Sequence, residues 1–198
     1  MFAELLAHDG VEELCELRSR FGFMAFHGGN LEKGTDAVAL EAASRSGASL
    51  YAVLQPPDLR WHIPSTAVQP SESQALARFL DHVDVVIAVH GYGAEEYWTT
   101  LLIGGQNRTL AAHVGSSLRA TLAPHGYEVI DELQLIPARL RGVHRDNPVN
   151  LPRRGGVQLE LPPRVRGTSP LSKPEYTTAL VDGLVAAAST WEVTARDG

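Results

Sequence analysis

Cysteine is almost absent from this chain: Cys15 is the only one among 198 residues. One thiol can form neither a disulfide framework nor a cysteine metal cage, and we expect Cys15 to be buried on the apolar face of a first helix at 10–20. The sequence also has no apolar run of 18 residues, and its start is not a basic segment followed by an apolar one. We therefore predict no membrane span and no signal peptide, and a cytoplasmic protein that only lysis would release.

Three motifs that would indicate other functions are also missing. The basic stretches are not interleaved with aromatic residues and the net charge is −6, which argues against a nucleic-acid partner. The stretch 29–35 ends in Lys-Gly-Thr, not in the Gly-Lys-Thr of a phosphate-binding loop. No Gly-x-Ser-x-Gly elbow is present that would support a serine hydrolase.

What remains is typical of one α/β domain covering residues 1–198, because 44% of the chain is apolar and no long linker divides it. Beyond the first helix, helices are predicted at 35–45, 71–82, 110–122 and 172–190. Asn107 is the predicted cap of the helix at 110–122. Residues 59–66 are predicted to form a short strand and a polar loop. Apolar runs predict strands at 23–26, 49–54, 84–89, 97–103, 127–131 and 156–161.

The first candidate site residue is a histidine that follows a buried strand. The apolar run 23–26 leads into His27 and two glycines, and open α/β sheets place their ligand crevices at the carboxyl ends of strands. Glu32 comes five residues later and can fold back toward His27, while Thr35 is the predicted cap of the next helix. An imidazole and a carboxylate suit a zinc ion.

A second strand ends in the same way, since the run 84–89 leads into His90 and another glycine. If the two strands are adjacent and parallel, His27 and His90 enter one crevice. With Glu32 they form a set of two histidines and one glutamate, which holds catalytic zinc in several peptidases and leaves one coordination position open. His62 follows no strong strand, so we interpret it as a core residue or a residue behind the ligands.

The strand at 156–161 carries two polar residues, Gln158 and Glu160, between aliphatic ones. A carboxylate on a central strand is costly to bury without a partner. We therefore expect both side chains to face the metal crevice, where Glu160 would act as the general base. The alternative is that Glu160 forms a buried ion pair with an arginine.

Positive charge is concentrated in the last third of the chain. Seven arginines lie between residues 139 and 166 against two acidic residues, and much of this stretch is a predicted loop at 139–154. Such a cluster attracts anions, and it could stabilise an oxyanion or bind a substrate carboxylate. The alternative is an arginine-rich loop that is simply solvated.

Four stretches of the chain form a recognisable set: the run 27–36, the strand that ends in His90-Gly91-Tyr92-Gly93, Gly104-Gly105 before a helix, and 147–150 leading into 156–161. Together they resemble the poly-γ-glutamate hydrolase family, which is known from bacteria and their phages. The segment at 62–66 also resembles a family segment, so the resemblance extends over about residues 21–166.

The resemblance implies a zinc hydrolase with a fold similar to the zinc carboxypeptidases, in which a mixed, mostly parallel sheet has helices on both faces. His27, Glu32 and His90 match the metal ligands of the family, and Glu160 lies where a zinc carboxypeptidase has its general base. Pro162-Pro163 replaces a more polar pair after this glutamate. We expect the substrate to be bound by Arg164 or Arg166, together with Gln158 and Asn150.

Three functions fit these features. The first is a monomeric zinc amidohydrolase that cleaves γ-glutamyl amide bonds of an anionic polymer, with no nucleic-acid or membrane partner. The second is a carboxypeptidase-like enzyme or deacylase that acts on small peptides or N-acyl amino acids. The third is a non-catalytic anion-binding domain that uses the arginines.

Overall fold

A seven-stranded sheet forms the centre of the computed structural model, which describes residues 1–93 and 97–194, with side chains up to Trp191. In chain order the strands are β1 (Glu12–Glu16), β2 (Phe21–Gly29), β3 (Ser49–Gln55), β4 (Val85–Gly91), β5 (Thr100–Ile103), β6 (Glu128–Ile130) and β7 (Gly156–Leu161). Their order across the sheet is β1-β3-β2-β4-β7-β5-β6. Only the β1–β3 and β5–β7 pairs are antiparallel, which confirms the predicted mixed, mostly parallel sheet.

Helices cover both faces of this sheet, as predicted. They are α1 (Phe2–Leu6), α2 (Thr35–Ser46), α3 (Gln74–His82), α4 (Arg108–Leu122) and α5 (Pro174–Thr194). Apolar residues of α2, α4 and α5 form one core against the sheet, and those of α1 and α3 form a second core on the opposite face. Within the described ranges, no helix combines the length and the apolar character that a membrane crossing needs.

The central strand β4 shows how the sequence pattern defines these two faces. Val85, Ile87 and Val89 pack in the core of α2, α4 and α5, whereas Val86 and Ala88 pack in the core of α1 and α3. This alternation follows from the two-residue repeat of a strand, and apolar residues on both faces are typical of a parallel strand buried between helix layers.

The predicted helix at 10–20 is wrong, because residues 12–16 form β1 at the edge of the sheet. The strand pairs with β3, with Leu14 opposite Ala52, and its glutamates remain exposed. A short, charged edge strand is one way in which proteins prevent further strand pairing. Cys15 is therefore half-buried on a strand instead of buried on a helix.

Smaller differences concern the ends of elements. The cap of α3 is Ser73, whose Oγ accepts from the Leu76 amide, so the helix begins three residues later than predicted. The cap of α2 is Gly34 in a left-handed conformation, which replaces Thr35. Asn107 caps α4 as expected, with its side chain accepting from the Leu110 amide. Residues 59–66 contain no strand.

Candidate metal centre and cavity

The two histidines that follow apolar strands lie side by side, as the sequence predicts. Strands β2 and β4 are neighbours and run parallel, so their carboxyl ends meet at one edge of the sheet. The ring centroids of His27 and His90 are 5.0 Å apart, and each lies 4.8 Å from the ring of Phe26.

A bulge in β2 orients His27. Ala25 pairs with Ala52 and Gly28 pairs with Leu54, so three steps along β2 match two along β3. Without this irregularity, strict alternation would place the His27 side chain on the same face as Ala25. Bulges are one way in which proteins redirect a side chain next to a functional site.

Glu32 lies between the two imidazoles and binds both. Its Oε1 is 3.0 Å from Nδ1 of His27, and its Oε2 is 3.3 Å from Nδ1 of His90. The Gly91 amide also donates to Oε2, at 2.9 Å. The loop that carries Glu32 is closed by its own backbone, because the Glu32 amide donates to the His27 carbonyl and the Thr35 hydroxyl donates to the Glu32 carbonyl.

The hydrogen-bond partners of His27 indicate that a proton or a metal ion lies between its ring and Glu32. Nε2 of His27 lies 2.8 Å from the Ile63 carbonyl, which can only accept, so Nε2 carries a proton. In the neutral ring, Nδ1 then presents a lone pair to the Glu32 carboxylate, and two acceptors face each other unless a proton or a metal ion lies between them. One ligand atom from each of His27, Glu32 and His90 lies within 4.8 Å of the others. The residues therefore fit a bound metal ion.

The pKa directions agree with this interpretation. Burial acts to raise the pKa of Glu32, but the facing imidazoles of His90 and His27 outweigh it and hold that pKa well below its usual value. Burial acts to lower the pKa of His90, but the charge of Glu32 raises it above its usual value. Both shifts follow from a buried carboxylate that stabilises positive charge beside it.

Glu160 lies next to this cluster, because β7 pairs with β4 in a register that puts Glu160 beside His90. Its side chain is buried, and its Oε1 accepts a hydrogen bond of 2.8 Å from Nε2 of Gln158. Among the residues that the structure describes, no arginine forms an ion pair with it, which does not support the alternative of a buried salt bridge. Burial is the main cause of its raised pKa.

A cavity of about 1030 Å³ contains both the cluster and Glu160. Its wall includes part of the loop between β6 and β7, which contributes Arg139, His144 and Arg145. His62 also lines the cavity and is exposed, so of the two expected positions the core position is wrong, and the position behind the metal ligands stays a prediction. The centroid of its ring lies 5.0 Å from that of the His27 ring. The pKa of His62 is lowered, mainly by its partial burial and secondly by the nearby charge of His27.

Of the predicted substrate-binding residues, only Gln158 lines this cavity. Asn150 instead holds the loop between β6 and β7, because its Nδ2 donates to the carbonyls of Gly142 and His144 at 2.7 and 2.9 Å. Arg164 lies against α5, where Nη2 donates to the Tyr176 hydroxyl at 3.0 Å. The positions of Asn150 and Arg164 give no support to a direct contact with substrate.

Arg166 is not among the residues that line this cavity, but it lines a neighbouring cavity of about 380 Å³ that shares Glu32 and Gly91 with it. Its guanidinium donates to the carbonyls of Leu161, Lys33 and Tyr92, and so connects the ends of β7 and β4 with the loop after β2. The guanidinium also fills the space beside Gly91, where a Cβ would lie 2.5 Å from Arg166 Cζ. Arg166 therefore holds these segments together. Among the residues that the structure describes, Arg139 and Arg145 are the arginines that line the larger cavity.

Comparisons with known proteins agree with this arrangement. The family model for poly-gamma-glutamate hydrolase matches residues 3–171. The SPbeta prophage-derived protein YoqZ of Bacillus subtilis (strain 168) is 35% identical over 140 residues, which are 70% of this chain and 47% of that protein. The chain thus spans about half the length of this curated relative.

Solved structures share the fold. A bacteriophage poly-gamma-glutamate hydrolase superposes with a TM-score of 0.72 at 20% identity, covering 96% of this chain and 95% of the other. The zinc-free apo form of YNDL superposes with a TM-score of 0.72 at 21% identity, and the match covers 89% of this chain and 88% of the other. A metallo-carboxypeptidase from Burkholderia cenocepacia superposes with a TM-score of 0.51 at 10% identity, and the match covers 97% of this chain and 67% of the other. The predicted carboxypeptidase-like fold is confirmed.

The resemblance noted in the sequence therefore extends to the family model and to the fold. Family membership rests on the match over residues 3–171, which is most of the 198-residue chain. The chain belongs to the poly-γ-glutamate hydrolase family.

Proposed function

We propose that this protein is a zinc-dependent amidohydrolase that cleaves γ-glutamyl amide bonds of poly-γ-glutamate. One observation carries the proposal: Glu160, a buried carboxylate with no cationic partner among the described residues, opens into the same cavity as the His27–Glu32–His90 cluster. The names of the phage hydrolase and of zinc-free YNDL support the substrate and the metal, respectively.

His27, Glu32 and His90 would hold the metal ion through two imidazole nitrogens and one carboxylate oxygen, a donor set that suits zinc. When bound, zinc polarises the amide carbonyl and lowers the pKa of a water molecule. Glu160 accepts the proton of the attacking water and delivers it to the leaving nitrogen. Its burial raises its pKa, which suits a group that must both accept and return a proton.

Arg139 and Arg145 supply positive charge on the cavity wall and are the candidate partners for substrate carboxylates. A guanidinium can bind a carboxylate with two parallel hydrogen bonds, whereas the field of more distant charges is screened over about 8 Å at physiological salt. Sequence patterns could not distinguish these two arginines from the other five in the cluster.

We expect the double substitution Arg139→Ala and Arg145→Ala to raise KM for γ-linked polyglutamate by about tenfold or more, because two charge-assisted contacts are lost. The KM for a short neutral amide should change much less. Arg164→Ala is the control, since Arg164 has the same charge but contacts Tyr176 outside the cavity. Equal losses with both substrates, or an equal effect of Arg164→Ala, would contradict the assignment.

The proposed function is tested by measuring the metal content of the purified protein and then its activity on γ-linked polyglutamate, α-linked polyglutamate and an N-acyl amino acid. The proposal expects about one zinc per chain and cleavage of the γ-linked polymer. Cleavage of only the small substrates would favour a carboxypeptidase-like enzyme or deacylase, and no cleavage with tight polyglutamate binding would favour an anion-binding domain. That the protein acts as a monomer stays a prediction, which gel filtration would test.

A further inference from the structure

Three buried polar side chains form a chain of hydrogen bonds that ends on Glu160. Nδ2 of Asn147 donates to Oε1 of Gln158 at 2.8 Å, and Nε2 of Gln158 donates to Oε1 of Glu160 at 2.8 Å. The three residues are only 3%, 5% and 4% exposed, respectively. The side-chain amides of Asn147 and Gln158 therefore have little contact with bulk water, and they must find hydrogen-bond partners within the protein.

The direction of this chain is determined by the backbone at its far end. Oδ1 of Asn147 accepts from the Val149 amide at 3.3 Å, so the Nδ2 group must point toward Gln158. Because Oε1 of Gln158 then accepts from Asn147, its Nε2 group must point toward Glu160. The side-chain amides have only one arrangement that satisfies every donor and acceptor, and it presents a donor to Glu160.

Gly142 closes the loop over this chain of side chains. It has a φ of +61°, and a Cβ at this position would lie 2.5 Å from Oε1 of Gln158. Its carbonyl also accepts from Nδ2 of Asn147, at 3.4 Å. The same loop contributes Arg139 and Arg145 to the cavity wall, so the amide chain connects this wall with Glu160.

We propose that Asn147 and Gln158 are positioning residues that orient the Glu160 carboxylate. Their hydrogen bonds hold Oε1 of Glu160 in place and leave Oε2 free to take the transferred proton. This inference rests on the proposed role of Glu160 as the general base. A buried carboxylate without a fixed donor can rotate toward any nearby positive charge, and here that charge would come from a metal ion held by His27, Glu32 and His90. A catalytic group that shifts by about 1 Å can lose roughly 10²-fold in rate.

The test is Asn147→Asp, which has the same shape but replaces the donor that faces Gln158 with an acceptor. The Gln158 amide then turns over to donate to the new carboxylate, and its oxygen faces Glu160. We expect kcat for γ-linked polyglutamate to fall about tenfold or more, with KM and metal content nearly unchanged. A substitution that only loosens the fold would change the melting temperature and KM together with kcat.

Asn107→Asp is the matched control. Asn107 also combines a capping Oδ1, which accepts from the Leu110 amide, with an Nδ2 that donates to a backbone carbonyl, that of Arg154. It lies outside the cavity, so its substitution should affect stability without a selective loss of kcat. If Asn147→Asp does not fold, Gln158→Met gives the second test, because it removes the donor to Glu160 at similar length.

The outcomes separate the inference from the proposed function. A selective loss of kcat in Asn147→Asp or Gln158→Met, absent in Asn107→Asp, supports the inference. If Glu160→Gln is inactive while Asn147→Asp behaves like Asn107→Asp, the positioning role is wrong and the proposed function stands. If Glu160→Gln keeps its turnover, the role of Glu160 as the base is wrong and the inference is overturned with it.

Discussion

Glu160→Gln is expected to reduce kcat by roughly 10²-fold or more, the usual scale for the loss of a positioned acid–base group. The substitution keeps the shape of the side chain but removes its basicity, so no group at this position can accept the proton of the attacking water. Metal content should remain at the wild-type level, because Glu160 is not a member of the His27–Glu32–His90 cluster. Turnover, bound metal and melting temperature are measured on one preparation.

The melting temperature distinguishes catalysis from a structural role. Because burial disfavours the charged form of Glu160 and raises its pKa, replacing it with a neutral amide should leave the fold as stable as before or more stable. Glu13→Gln is the control, since the Glu13 carboxylate accepts from the Tyr51 hydroxyl but lies outside the cavity. A lower melting temperature with unchanged turnover per folded molecule would show that Glu160 supports only the fold.

The sequence predicts the centre of the sheet well because the physical constraint there is simple. A strand buried between two helix layers needs apolar residues on both faces, so β2 and β4 appear as apolar runs, and the histidines at their ends lie at one edge of the sheet. On β7 the polar Gln158 and Glu160 interrupt an otherwise apolar strand, and the face they share is the one that opens into the cavity.

Other features depend on contacts that no local pattern contains. The first residues of β1 have no strong strand signal, and pairing with β3 at the edge of the sheet determines their structure. The bulge that redirects His27 depends on the register between β2 and β3. The choice among seven arginines depends on how the loop between β6 and β7 folds, and Asn150 fixes that loop through two carbonyls.

His90→Ala and His27→Ala are each expected to remove the metal, lowering its affinity by more than about 10²-fold, because even residues that only orient a ligand affect affinity by about 10- to 100-fold. Metal analysis after dialysis measures this loss. His144→Ala is the control, since the imidazole of His144 lines the same cavity but is not part of the cluster. If both variants kept the metal content of the wild-type protein, the metal site would have to lie elsewhere in the cavity, with His62 and His144 as the next candidates.

A thermal measurement gives an independent test of the same site. A metal that binds only the folded state stabilises it by about 4 kcal/mol when its free concentration is roughly 1,000 times the dissociation constant. A chelator should therefore lower the melting temperature of the wild-type protein and of His144→Ala. It should leave His90→Ala and His27→Ala unchanged, because those variants have already lost the ion. A chelator effect that persists in both ligand variants would mean that the stabilising ion is held by other residues.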